Sequence, residues 1–144
     1  MTIHDYLLNH DGVDWRTMLA GWGKLLPRSF SVWLVNRFGD LFIVAADGQI
    51  HLLETGTGML KQIAVSQDDF CQKIDLADNA GDWLMIPLVD KLVAAGKKLS
   101  AGQCYSFQQP PALGGAYTVE NTRVVRLAQH FARYAAIHSG REAE

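Results

Sequence analysis

The run Leu41-Phe42-Ile43-Val44-Ala45, the link Ala46-Asp47-Gly48 and the run Gln49-Ile50-His51-Leu52-Leu53 constrain this chain most. Two β-rich runs flanking an Asp-Gly turn predict an antiparallel hairpin. Glu54-Thr55-Gly56-Thr57-Gly58 is a second turn, and Met59 to Val65 returns as a third strand weighted by Leu60, Ile63 and Val65. A three-stranded meander needs something packed on one face to be stable. Helices are expected to supply that cover, which makes the fold class α+β. The prediction is an antiparallel sheet of about five to six strands packed by helices.

The helical signals lie on both sides of the meander. Residues 3–9 predict one or two helical turns. Asp14 is placed to cap a helix with Trp15, Met18, Leu19 and Trp22 on one face; Gly21 and Gly23 weaken its end, and Pro27 stops it. Phe30 to Val35 reads as a short helix or a strand. After the meander, Ser66-x-x-Asp69 opens a capping pattern ahead of Phe70, Ile74 and Leu76. Leu88, Val89, Leu92 and Val93 make an apolar stripe closed by Gly96. Gly102 to Gly115 reads as a short strand, a Pro110-Pro111 corner and a double-glycine turn, with Ala116 to Asn121 as a strand beyond it. Tyr105 and Phe107, two apart, share one strand face. Thr122 to Leu127 holds the last strand, and Gln129 to Ile137 is helical with Phe131, Tyr134 and Ala135 on one side.

Bulk properties narrow the function classes. The 144 residues fit a single domain, 1–144, with 49% apolar and 19% charged residues and a net charge of −2. That charge gives no basic field for nucleic acid. No run reaches the length of a membrane span, and the N-terminus carries no secretory signal, so a soluble cytoplasmic protein is expected. Cys71 and Cys104 read as two buried reduced thiols.

No reaction centre assembles from the sequence. Cys104 with His130 or His51 would be a nucleophile pair, but no basic residue neighbours Cys104 to activate the thiol. His4 and His10 are six apart, and His130 and His138 eight apart, which is too far to share an ion; solvated or partly packed histidines are expected. Thr55-Gly56-Thr57-Gly58 lacks the lysine of a phosphate loop and reads as a hairpin connection. Arg123, Arg126 and Arg133 are too sparse for a nucleic-acid stripe. Catalytic residues, metal ligands and cofactors are therefore predicted to be none. From Ser66 to Asp82, five aspartates (Asp68, Asp69, Asp75, Asp78 and Asp82) stand against Lys73 alone. They form either a solvated helix face or a patch complementary to a basic partner.

The order of motifs adds a resemblance. Phe38-Gly39-Asp40-Leu41-Phe42, Asp47-Gly48, Glu54-Thr55-Gly56-Thr57-Gly58, Trp83-Leu84, Gly102-Gln103-Cys104-Tyr105-Ser106-Phe107, Pro111-x-Leu113-Gly114-Gly115-x-Tyr117 and Glu120-Asn121 follow one another over about residues 25–139. This pattern resembles the C-terminal domain family of the immunity protein paired with a type VI secretion DNase effector. The resemblance implies a bacterial, non-enzymatic protein that binds a cognate toxin, with a nuclease as the expected partner. From charge and the lack of a long apolar run, no direct contact with nucleic acid or membrane is expected, and the oligomeric state is left open. Within the motifs, Gly39, Asp47, Gly48, Gly58, Trp83, Cys104, Tyr105, Phe107, Pro111, Gly114, Gly115 and Asn121 are expected to be structural. Candidate toxin contacts are the acids Asp68, Asp69, Asp75 and Asp78, with Asp40 and Glu54 near hairpin turns. Two alternatives stand beside this reading: a small-molecule-binding or enzymatic domain with a pocket between sheet and helices, and a regulatory scaffold without a toxin partner.

Overall fold

The computed structural model describes residues 3–143, with side chains described for residues 3–140. Among the described residues the chain forms an α+β fold with six strands in two antiparallel sheets. A 3-10 turn at Ile3–Tyr6 precedes α1 (Trp15–Met18), which runs into a 3-10 helix at Ala20–Leu25. Then come β1 (Phe30–Val35), β2 (Leu41–Ala45), β3 (Ile50–Glu54) and β4 (Met59–Ala64), a meander in the order β1-β2-β3-β4. Three helices follow: α2 (Gln67–Lys73), α3 (Asn79–Trp83) and α4 (Ile86–Ala94). The two-stranded sheet of β5 (Gln103–Phe107) and β6 (Thr122–Arg126) leads to α5 (Leu127–Ala143).

The predicted hairpin forms with Leu41 opposite Leu53 and Phe42 opposite Leu52. Asp47 Oδ1 accepts from the Gln49 N–H at 3.1 Å, and Gly48 takes φ +88°. Alternation then sends successive side chains to opposite faces. Phe42, Ile50 and Leu52 join a cluster with Phe70, Leu84, Leu88 and Leu92. Leu41, Ile43 and Leu53 join another with Trp22, Phe131 and Tyr134. Helices thus cover the sheet on both faces rather than one, which is why Leu41, Phe42 and Ile43 are all fully buried. Phe30–Val35 resolves as a strand, with the register shifting between Val32 and Leu34.

The capping pattern before α2 is reciprocal. The Asp69 N–H donates to Ser66 Oγ at 3.0 Å, and the Val65 N–H donates to Asp69 Oδ2 at 2.9 Å. Phe70 then reaches the core, where Trp83 stacks on it at 5.5 Å and 19°. Tyr105 and Phe107 share a face as expected, both against Phe38.

Several expectations are corrected. The helix capped by Asp14 keeps α geometry only to Met18. Gly21 then lets the 3-10 segment approach α5 so closely that a Cβ there would stand 2.8 Å from Ala135 Cβ. Ala116 to Asn121 forms no strand. Instead Asn121 stitches that loop, donating from Nδ2 to the carbonyls of Gln109 (2.9 Å) and Ala116 (2.8 Å) and accepting the Gln109 N–H at Oδ1. Leu76 and Val93 lie outside, 58% and 45% exposed. Cys71 is exposed and only Cys104 is buried. No helix among the described residues is long and apolar enough to cross a membrane.

Candidate functional site

Where the meander, the two-stranded sheet and α5 meet, buried polar side chains form one connected network. Asn36, at the turn after β1, anchors it. Its Oδ1 accepts the N–H groups of Phe38 and Asp40, and its Nδ2 donates to Asp40 Oδ2 at 3.1 Å and to the Trp83 carbonyl at 2.9 Å. Asp40 Oδ1 accepts both the N–H and the hydroxyl of Thr55, each at 2.9 Å. Thr55 Oγ1 lies 2.8 Å from His130 Nε2, and His130 Nδ1 lies 3.0 Å from Ser106 Oγ. Tyr134 OH closes the chain by accepting the Phe107 N–H and donating to the Phe107 carbonyl.

Donor and acceptor counting fixes the protons. Thr55 gives its one hydroxyl proton to Asp40, so it must accept from His130, which is then protonated on Nε2. His130 Nδ1 is left to accept from Ser106. The imidazole is neutral in this arrangement, and burial, aided by the nearby Arg133, pushes its pKa down to about 3. Burial also raises Asp40 to about 6, against the hydrogen bonds from Thr55 and Asn36 that favour its charged form. His138, two turns along α5, donates from Nε2 to the Thr55 carbonyl at 2.6 Å. Both helical histidines therefore converge on Thr55. They are buried, where the sequence predicts solvated or partly packed histidines. Each packs against a glycine of positive φ: a Cβ at Gly39 would lie 2.8 Å from His130, and one at Gly58 would lie 2.9 Å from His138.

One end of this network borders a cavity of about 540 Å³ between the meander and α4, with Asp40, Thr55 and His130 among its lining residues. Phe38, Trp83 and Phe107 supply aromatic lining, and Tyr117 meets Phe107 edge-on at 5.2 Å. Glu54, Lys61, Asp82 and Lys91 add charge, with Lys61 paired to Glu54 at 3.3 Å.

The sequence candidates separate in space. Asp68, Asp75 and Asp78 are exposed on α2 and the turn after it. Asp69 is engaged, capping α2 and pairing with Lys73 at 3.0 Å. Glu54 is half-buried beside the cavity. Asp40 is not a surface acid: it is 7% exposed, because the turn after β1 folds inward onto Thr55. Cys104 makes no hydrogen bond to His130 or His51, and burial raises its thiol pKa, so the nucleophile pair does not assemble. No group of three or more His, Cys, Asp or Glu side chains suited to a metal ion occurs among the described residues. Arg133 is not part of a free basic stripe; it donates to the carbonyls of Phe107 (2.6 Å) and Gln108. Thr55, Ser106 and Asn36 were missed by the sequence reading, since small polar residues carry no pattern that separates a buried network from a loop. The glycine turns were the only hint: Gly58 connects β3 to β4, its N–H donating to the Glu54 carbonyl at 2.8 Å.

Comparison with known families decides the lineage. The sequence profile of the T6SS immunity protein Tdi1, C-terminal, matches residues 64–138, which spans α2 to α5. The chain belongs to this family. The matched segment is shorter than the likeness over residues 25–139, and the motifs from Phe38 to Gly58 lie ahead of it. Among solved structures, the crystal structure of Atu4351 from Agrobacterium tumefaciens is similar, with a TM-score of 0.56 and 20% sequence identity over 84% of this chain and 62% of that one. At that identity the likeness shows the shared fold alone, and this family member spans less than two thirds of that protein's length. A search of curated proteins found no match.

Proposed function

We propose that this protein neutralises a cognate secreted toxin by binding it, without covalent chemistry. Family membership over residues 64–138 carries the reading, because that family is one of type VI immunity proteins. A nuclease effector is the proposed target. Nucleases bind a polyanion and so present basic surfaces, and Asp68, Asp75 and Asp78 offer an exposed acidic face in the matched segment. Asp82 extends this acidic run to the edge of the cavity. The free energy would come from an apolar centre with polar contacts around it, and the exposed Leu76 lies between Asp75 and Asp78. The test is co-expression of the chain with the toxin encoded beside its gene. Survival together with a co-purifying complex is the expected result. Equal killing with and without the chain, and no complex, would overturn the proposal.

The cavity favours a second reading, a small-molecule-binding domain. It lies between sheet and helices and is bordered by two groups of shifted pKa, Asp40 and His130. Catalysis is the weaker form of that reading. Both His130 nitrogens are occupied by hydroxyls, and Ser106, its neighbour, is buried.

A further inference from the structure

A buried carboxylate is usually matched by a cation. Asp40 is not. Its oxygens receive hydrogen bonds from the Thr55 N–H, the Thr55 hydroxyl and Asn36 Nδ2, all from uncharged groups. Among the described residues no Lys, Arg or His nitrogen forms an ion pair with it. Its charged neighbour is Glu54, a second acid beside the same cavity. A carboxylate has about four acceptor sites, so Oδ2, with one partner, keeps capacity for another donor.

The surroundings narrow what that donor can be. Phe38, Trp83, Phe107 and Tyr117 line the cavity with ring surfaces, which attract cations and pack against alkyl stems. The volume of about 540 Å³ falls in the range of small-ligand sites. A metal ion is a poor occupant, because His130 has no free nitrogen to offer and, among the described residues, Asp40, Glu54 and Asp82 do not form a group of three placed to hold one. The other charged groups at the cavity are Lys61, held by Glu54, and Asp82 and Lys91, both exposed.

From this geometry we infer that the cavity is a receptor for one organic cation, a guanidinium or ammonium head on an alkyl stem, whose head pairs with Asp40 and whose stem lies among Phe38, Trp83, Phe107 and Tyr117. A free metabolite and an arginine or lysine side chain presented by a bound protein share this chemistry. The inference rests on the cavity and not on the toxin reading, so failure of one leaves the other standing.

The test is titration of the full chain with n-butylguanidinium, followed by amide and indole chemical shifts, with n-butylurea as the neutral isostere. Saturable shifts at Gly56, Thr57 and the Trp83 indole are expected with the cation and not with the urea. Binding should weaken about tenfold between about pH 7.5 and about pH 5, because protons compete with the cation for Asp40. Asp40→Asn should weaken binding by about tenfold or more. Tyr117→Ala removes a ring that is 55% exposed, so it leaves folding intact and should weaken binding about threefold. It decides the matter if Asp40→Asn does not fold. Native mass spectrometry of the protein purified from its own cells distinguishes the sources. A retained small cation marks a metabolite, and an empty cavity that still binds the probe marks a side chain from a partner. No saturable binding of the cation, equal binding of the urea, or undiminished binding in the folded variants would overturn the inference.

Discussion

Asp40 and His130 share Thr55 as a neighbour, yet their titrations pull stability in opposite directions. Asp40 is raised from 3.8 to about 6, so its stabilising contribution is complete below pH 3.8 and is lost as pH climbs through about 6. His130 is lowered from 6.5 to about 3, so its contribution is complete above pH 6.5 and is lost as pH falls toward about 3. Between about pH 4 and about pH 6 the two slopes oppose each other, and stability should be nearly flat. Asp40→Asn leaves only the histidine slope. Its unfolding free energy should then rise with pH by about 1.4 kcal/mol per unit across that window, measured by urea denaturation at a series of pH values. A variant profile as flat as the native one would refute the pairing. Gly115 makes a second, simpler case. A Cβ there would sit 1.7 Å from the Gln109 carbonyl oxygen, a backbone atom that cannot swing away. Gly115→Ala should cost roughly 3 kcal/mol or more, whereas Gly48→Ala, with φ +88° but open space around it, should cost about 1 kcal/mol. Thermal melts of the two variants compare them directly.

Among the elements, α2 shows how a short helix is held. Its seven residues are too few to be stable alone, so cap and core contact must supply what propensity does not. Ser66→Ala removes the acceptor for the Asp69 N–H and should lower stability by about 1 kcal/mol. Phe70→Ala should cost more, about 3–5 kcal/mol, because Phe70 is itself buried and meets the rings of Trp33, Phe42 and Trp83. Chemical denaturation of both variants gives the ranking, and a larger loss for Ser66→Ala would mean that the cap, not the core contact, holds α2. Ser66→Ala leaves Asp40 and the cavity untouched, whereas Phe70→Ala removes the ring on which Trp83, a lining residue of the cavity, stacks. The element boundaries were legible where a local device marks them: the Asp47-Gly48 turn, the Ser66 cap, and Gly96 at φ +83° after α4. They were not legible where two geometries compete for one stretch, as at Ala20–Leu25, where close approach to α5 favours a 3-10 helix.

For the molecule as a unit, the proposed toxin-binding acidic face and the cavity are separate in space and are tested separately. Asp68, Asp75 and Asp78 are exposed, so their field acts through solvent and is screened by salt. Replacing all three by asparagine should slow association with a basic toxin about tenfold at low ionic strength while leaving dissociation nearly unchanged. Stopped-flow kinetics at two salt concentrations would show this, and an unchanged association rate would remove these acids from the interface. The meander, covered on both faces, lies behind that face, with α2 packed against β4.

Residues a few positions apart were enough to specify the hairpins, the α2 cap, the glycine turns and the pairing of Tyr105 with Phe107 on one strand face, because each depends on backbone preferences within a single turn or strand. They also carried the family likeness, which the profile match confirms over the C-terminal half. The network is another matter. Thr55 lies 15 positions from Asp40 and 75 from His130, and Ser106 lies 24 from His130. No periodicity links such residues. They meet because apolar side chains on both faces of the meander pull α5 and the two-stranded sheet against it, which buries Asp40 beside a cavity that stays open to solvent on one side.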